Sequence, residues 1–290
     1  MNPCFLMGRP DAFAVRYEIN PWMHVGVPVD QAKVAAEWQA LRRLYEDLGA
    51  RVEVIDAAAD QPDLVYVANA GLVQAGRVYL SRFHHLERRG EEAIFARWFA
   101  DRGFEIVLPP AGVAFEGAAE VRWFGTGFFG GWGIRTDRRA HEWLAAELDL
   151  PLVDLELIDP RYYHLDTCLN VLPGGLILYY PGAFSPAARA RVRRHAADLI
   201  ELTDEEGAAF VANSILVGDT LVLGWVSDRI VEELGRRGLR ARPTPVDEFR
   251  KGGGSVACLT LALAGSWSAA GGSAWSERSS SSSRMASNVA

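Results

Sequence analysis

Apolar residues recur at helical spacing in DQAKVAAEWQALRRLYEDLG, residues 30 to 49, where Val34, Trp38, Leu41, Tyr45 and Leu48 fall on one face. Asp30 is placed to cap the first turn and Gly49 to close the last. Four further helical patterns lie near residues 88 to 101, 137 to 148, 185 to 198 and 226 to 237. Between them stand short apolar or alternating runs: RVEVID, DLVYVA, RVYLSRF, FEIVL, EVRWFG, GLILYY, SILVGDTLVLGW and CLTLAL. Gly, Pro and Asp bound these runs, as they do strands. Five helices, each escorted by two or three strands, predict an α/β chain with a repeated unit, although no convincing repeat of sequence accompanies it.

Residues 1 to 264 read as a single domain. From about Gly265 the pattern lapses into WSAAGGSAWSERSSSSSRMASNVA, whose few apolar residues cannot offset the entropy of ordering it. Residues 265 to 290 are expected to be a disordered tail with no part in the chemistry.

Charge narrows the partners. The net charge of -7 and the absence of a basic cluster longer than Arg191 to His195 argue against nucleic acid and anionic membranes. A small cationic or zwitterionic ligand fits better, and a homo-oligomer stays open. No stretch approaches the roughly 20 apolar residues that span a bilayer, and MNPCFLMGRPDAF lacks the form of a secretory leader, so a cytoplasmic protein is expected. Cys4, Cys168 and Cys258 are too few and too scattered for a disulfide framework or a zinc site, which leaves each thiol as core filler or reagent.

Four segments carry candidate chemistry. FGTGFFGGWG contains GxGxxG at Gly125, Gly127 and Gly130, but an extended, glycine-punctuated run follows where a dinucleotide fold needs a helix N-terminus. Glycine-rich turns between strands are the better reading. YYHLDTCLNVL sets His164 and Asp166 two apart, which in a strand puts both on one face; taken alone, His164 reads equally as a satisfied structural imidazole. Cys168 is read as core. FEGAAEV offers Glu116 and Glu120, and GGGSVACLTLAL puts Cys258 at a strand entry behind three glycines that would let a substrate approach the sulfur. A buried structural cysteine is the alternative there.

Taken in order, YEINPWM, DLVYVANAGLV, SRFHHLER, FEGAAE, GIRTD, YYHLDTCLNVL, FVANSI and EFRKGGGSVACLTL resemble the guanidine-modifying, or pentein, superfamily. The resemblance runs over essentially residues 1 to 263. It implies a five-bladed α/β propeller of pseudo-fivefold ββαβ-like units, in agreement with the five helices read from periodicity. It also implies a catalytic set of Cys258, His164 and Glu116, with Asp166 as a substrate-binding acid and no metal or organic cofactor. Arg135 in GIRTD matches an arginine that grips the substrate α-carboxylate, its alternative being a surface arginine capping the next helix; Arg88 is a second candidate for that duty.

Asn69 in VANAG stands where deiminases and dimethylargininases place an aspartate, and Asn20 in INPWM adds another amide. Amides remove negative charge and supply N–H donors that suit a neutral ureido carbonyl. EINPWM with ANAG therefore resembles the arginine dihydrolase branch, which implies hydrolysis of L-arginine to ornithine, ammonia and carbon dioxide through a covalent thiouronium on Cys258. A dimethylargininase, a single-step deiminase, an amidinotransferase and a catalytically silent propeller used for binding are the alternatives. Glu120 departs from the family pattern, which commonly has Asp there, and is kept as a substrate-binding candidate whose extra methylene would alter preference.

Overall fold

The structure, a computed structural model, describes residues 2–264; the tail expected to be disordered lies outside the described residues. The first helical pattern forms as read. α1 (Gln31–Asp47) is capped by the Asp30 carboxylate, which accepts from the backbone N–H groups of Ala32 and Lys33, and Val34, Trp38, Leu41 and Tyr45 are buried. Their apolar face packs on β1 (Cys4–Gly8) through Phe5 and Met7. β2 (Arg51–Ile55) then pairs parallel to β1.

The same plan recurs along the chain. β3 (Gly71–Gln74) and β4 (Arg77–Leu80) form an antiparallel hairpin, α2 (Gly90–Ala100) crosses over, and β5 (Glu105–Val107) joins β4 in parallel. β6 (Val121–Phe124), β7 (Gly127–Trp132), α3 (Arg138–Leu148) and β8 (Leu152–Glu156) repeat it. So do β9 (Leu169–Leu172), β10 (Leu176–Tyr179), α4 (Pro186–His195) and β11 (Asp198–Glu201). After the short α5 (Asp204–Ala208), β12 (Ile215–Val217), β13 (Thr220–Leu223), α6 (Asp228–Gly235) and β14 (Arg240–Pro243) do so once more. Past α7 (Asp247–Arg250), β15 (Leu261–Ala264) pairs antiparallel to β1. The described residues thus form five three-stranded sheets of mixed direction, and the first sheet holds both the first and the last described strand. The helical crossover is what lets the third strand of each sheet run parallel to its neighbour.

Three expected strands are corrected. DLVYVA is no strand: Pro62–Val65 and Val67–Asn69 are consecutive 3-10 turns, opened by a proline whose fixed φ suits a first helical position. The run is apolar because it is buried on every side, and Tyr66, Asn69 and Ala70 donate their N–H groups locally to Asp63, Tyr66 and Val67. HLDT is likewise a 3-10 turn, Leu165–Thr167, so His164 and Asp166 do not share a face by strand alternation. Cys258 precedes its strand by a turn, since pairing begins only at Leu261. The GxGxxG stretch is the β6–β7 hairpin, as the glycine-turn reading expects. No helix among the described residues is long and apolar enough to cross a membrane.

Candidate active site

The segments just before three hairpins and before β15 bring the candidate residues together. Asn69 ends the turn before β3, Glu116 precedes the turn before β6, His164 opens the one before β9, and Cys258 stands in the one before β15. Neighbouring turns are tied by backbone bonds, for example Ala68 N–H to the Cys258 carbonyl at 3.2 Å. Cys258, His164, Asn69, Asn20, Arg88 and Arg135 line one narrow cavity, joined by Asp63, Tyr66 and Tyr163.

Glu116 is fully buried and heavily bonded. Its Oε2 accepts from His164 Nε2 at 2.6 Å and from Arg135 Nη1 at 3.2 Å, and its Oε1 from the His84 N–H at 3.1 Å. Burial alone would raise its pKa, but the Arg135 charge, the His164 bond and Arg88 outweigh that and hold it well below the usual carboxylate range. With Glu116 ionised, His164 Nε2 carries the shared proton and Nδ1 is the basic nitrogen. Burial, only partly offset by Glu116, moves His164 below its ordinary value, so the imidazole is neutral near pH 7.

Cys258 is 4% exposed, more enclosed than the partly open strand entry suggested by its sequence. Its Sγ lies 3.7 Å from Asp166 Oδ2 and 3.2 Å from Asn213 Nδ2. Burial first, then the Asp166 charge, push the thiol well above its ordinary value, so the resting sulfur is protonated. Asp166 is buried behind the sulfur with Arg122 Nη2 at 3.9 Å, and its own pKa is raised by burial.

The arginines differ in what they have left to give. Arg88 is clamped by Glu91, Nε to Oε1 at 2.8 Å and Nη2 to Oε2 at 2.7 Å, and also donates to the Asp63 carbonyl and to Asn69 Oδ1. That accounts for four of the five N–H groups a guanidinium carries. Arg135 is buried, which removes the reading of a surface cap, and among the described residues it bonds only Glu116 and the Ile19 carbonyl, with Nε unpartnered. Because Arg88 donates to Asn69 Oδ1, the Asn69 amide nitrogen points the other way, to the Glu116 carbonyl at 3.2 Å, and keeps one N–H uncommitted. Asn20 does the same through Gly252 O and the Trp22 N–H.

Glu120 lies apart from the cavity lining. It accepts the Leu165 N–H at 3.1 Å and has Oε1 3.9 Å from His164 Nε2; Glu116 and Asp166 are likewise buried outside that lining. The three glycines also do something other than leave open room. A Cβ on Gly252 would come within 2.3 Å of the Tyr66 hydroxyl and one on Gly254 within 2.3 Å of the Tyr66 ring, so the rings of the cavity wall fill that space. Cys168 is core, as read, fully buried among Leu165, Leu169 and Tyr179.

Asp63, Tyr66, Tyr163, Arg122 and Asn213 were not singled out by the sequence. One signal was available: the tripeptide Val-Ala-Asn occurs at residues 67 to 69 and again at 211 to 213, each time two residues before a hairpin.

Comparisons with known proteins bear on the family of the chain. Residues 20–264 match the family model described as N,N dimethylarginine dimethylhydrolase, eukaryotic. The bifunctional arginine dihydrolase/ornithine cyclodeaminase ArgZ of Synechocystis sp. is 38% identical over 265 residues, covering 88% of this chain. The chain spans only 37% of that relative's length. The N(G),N(G)-dimethylarginine dimethylaminohydrolase of Mycobacterium tuberculosis is 38% identical over 259 residues, covering 89% of this chain and 85% of that one. Among solved structures, the N-terminal domain of ArgZ bound to substrate, an arginine dihydrolase from Cyanobacteria, superposes with a TM-score of 0.87 at 36% identity over 90% of this chain and 98% of that one. With a family match over most of its length and a relative matched nearly end to end, the chain belongs to the N,N-dimethylarginine dimethylhydrolase family.

Proposed function

We propose that the chain hydrolyses the guanidinium group of L-arginine at Cys258 and retains the ureido product for a second hydrolysis, giving ornithine, ammonia and carbon dioxide. The observation that carries this reading is the convergence of a thiol, an imidazole paired to an ionised carboxylate, and two amides with spare N–H groups on one cavity. The five sheets are read as the five blades of one pseudo-fivefold propeller, with the site where the turns before the blades meet.

The steps follow from the local chemistry. Arg135, with the larger share of free donors, takes the α-carboxylate, for which a planar fork is the fitting partner, and Arg88 assists with its one remaining N–H. The guanidinium cation then lies against Asp63 in the cavity, within the field of Glu116 and Asp166 buried behind its lining. Its charge beside the sulfur offsets the Asp166 charge that resists ionisation, each pKa unit so recovered being about 1.36 kcal/mol. The thiol proton passes to His164, the sulfur attacks the guanidinium carbon, and the departing nitrogen takes that proton and leaves as ammonia. Water adds to the thiouronium carbon as His164 removes its proton, and the carbon–sulfur bond breaks to give citrulline and free Cys258.

In the second round the Asn69 and Asn20 N–H groups hold the ureido oxygen, which a carboxylate at residue 69 would repel. Citrulline and one water then yield ornithine, carbon dioxide and a second ammonia. Isotopically labelled arginine supplied to the purified protein tests this. Ornithine with two ammonia per arginine supports it, and stoichiometric citrulline left untouched overturns the second step.

The M. tuberculosis relative favours a second reading, hydrolysis of methylated arginine. Release of methylamines from N-methylated arginines, faster than ammonia from arginine, would select it. Hydrolysis of neither substrate by the wild type above the background shared by Cys258→Ala would instead favour a silent binding propeller, and turnover only with an added acceptor amine would favour an amidinotransferase.

A further inference from the structure

Asn213 stands two residues before β12, fully buried, and the steps above use none of its atoms. Its Oδ1 accepts from the backbone N–H of Ala257 at 2.8 Å and of Cys258 at 3.3 Å. Its Nδ2 donates to the Asp166 carbonyl at 3.1 Å and lies 3.2 Å from Cys258 Sγ. Backbone N–H groups only donate, and a backbone carbonyl only accepts, so this network admits a single orientation of the amide. A flipped amide would set its NH₂ against two N–H groups and its oxygen against a carbonyl. One N–H is therefore held on the sulfur by three contacts, all to main chain.

We infer that Asn213 is a further catalytic residue, whose amide N–H stabilises the Cys258 thiolate as it forms and again as it leaves the thiouronium carbon. The inference rests on the reading of Cys258 as nucleophile and deepens it. A thiol sulfur is a feeble acceptor and a thiolate a good one, so the bond gains strength where charge develops, which is the requirement for a contact that lowers a barrier. It acts against the neighbouring Asp166 carboxylate, whose oxygen at 3.7 Å opposes ionisation of the same sulfur. Because the donor is built in before substrate arrives, no side chain has to be ordered at the moment of attack.

Asn213→Asp separates this role from a structural one. The carboxylate keeps the shape and the acceptor for Ala257 and Cys258 but replaces the N–H on the sulfur with oxygen. Asn213→Ser, which keeps a hydroxyl donor in less volume, serves as the second variant. The measurement is the pH dependence of Cys258 alkylation by iodoacetamide in the intact protein, followed by peptide mass spectrometry, alongside kcat. In Asn213→Asp the alkylation midpoint is expected to rise by on the order of one pH unit or more, with kcat reduced roughly 10²-fold or beyond. Asn213→Ser is expected to shift less. A wild-type alkylation midpoint in folded Asn213→Asp, or a larger shift in Asn213→Ser than in Asn213→Asp, overturns the inference. The alkylation needs no substrate, so it is independent of whether arginine, methylated arginine or citrulline is turned over; wild-type turnover in Cys258→Ala would instead remove the nucleophile on which the inference rests.

Discussion

His164 Nε2 lies 2.6 Å from Glu116 Oε2, and the same oxygen accepts from Arg135 Nη1 at 3.2 Å. One carboxylate thus fixes the tautomer of the imidazole and neutralises a buried arginine. Glu116→Gln keeps the volume and an acceptor but removes the charge, leaving Arg135 a buried cation without its partner. A fall in kcat of about 10²- to 10⁴-fold is expected, the range for losing an oriented acid–base group, together with a lower melting temperature. Steady-state kinetics and thermal denaturation check both. A fully active Gln variant would show that His164 does not depend on the ionised carboxylate.

The pH dependence of stability carries the sign of each burial. Cys258 is held above its ordinary value of 9.0, so the native state refuses to lose a proton that the unfolded chain gives up, and the stability this group provides is lost as pH rises past 9.0. His164 is held below its ordinary value of 6.5, so its contribution is present above 6.5 and is lost as pH falls below it. Urea midpoints of wild type and Cys258→Ala are expected to differ by a constant below pH 9.0, with wild type falling behind above it. Wild type should lose stability relative to His164→Gln as pH drops through 6.5. Parallel curves throughout would mean that neither group is desolvated.

Much of this fold was legible because its helices are amphipathic and its hairpins are punctuated. The face Val34, Trp38, Leu41 and Tyr45 is buried as its 3.6-residue spacing requires, and SILVGDTLVL resolves into β12, a turn at Gly218 and β13. The turns that carry the site were not legible as turns. Asp63 to Asn69 and Leu165 to Thr167 are enclosed on all sides, so their apolar runs lack alternation, and three-residue 3-10 turns are too short to show a period of their own. Nor does any local pattern reveal that Glu116 meets His164 across 48 residues of chain. Only the order of several short motifs along the chain implies that pairing, and nothing local in FVANSI marks Asn213.

Asn69 is the residue on which one round or two depends. Its amide is oriented by Arg88 Nη1 at 2.8 Å, so Asn69→Asp would place a carboxylate against that guanidinium and remove the N–H offered to a ureido oxygen. The arginine pair would tolerate the charge, and the first hydrolysis, which benefits from an added anion beside the guanidinium, is expected to persist. The second is expected to fail, so that citrulline accumulates in place of ornithine. Product analysis by mass spectrometry decides, and an unchanged ornithine yield would remove Asn69 from the partition.

Cys168 supplies a control on the assignment of the nucleophile. It is fully buried, and its thiol lies 3.5 Å from the Leu165 carbonyl and 3.8 Å from that of His164, beneath the turn that carries the imidazole. Cys168→Ala leaves a small cavity in the core, with an expected cost of about 1–2 kcal/mol, and should retain turnover within a few-fold of wild type. Urea denaturation and kcat measure the two. Inactivation without unfolding would mean that the packing under His164 is itself part of the chemistry.

Gly253 joins the glycine run to the cavity wall. Its φ is +88°, and a Cβ there would stand 2.7 Å from Asn20 Oδ1 and 2.8 Å from the Tyr163 hydroxyl, the same hydroxyl that donates to the Gly253 carbonyl at 2.8 Å. Gly253→Ala therefore meets both an unfavourable backbone conformation and two cavity-lining side chains, with an expected cost of about 1–3 kcal/mol. Asn20 is the softer of the two neighbours and would be displaced from Gly252 O, taking its free N–H with it. A raised KM with a smaller change in kcat is expected, since the binding wall moves while Cys258 stays in its turn. A variant with wild-type melting temperature and KM would show that the loop can shift away from Asn20 without disturbing the site.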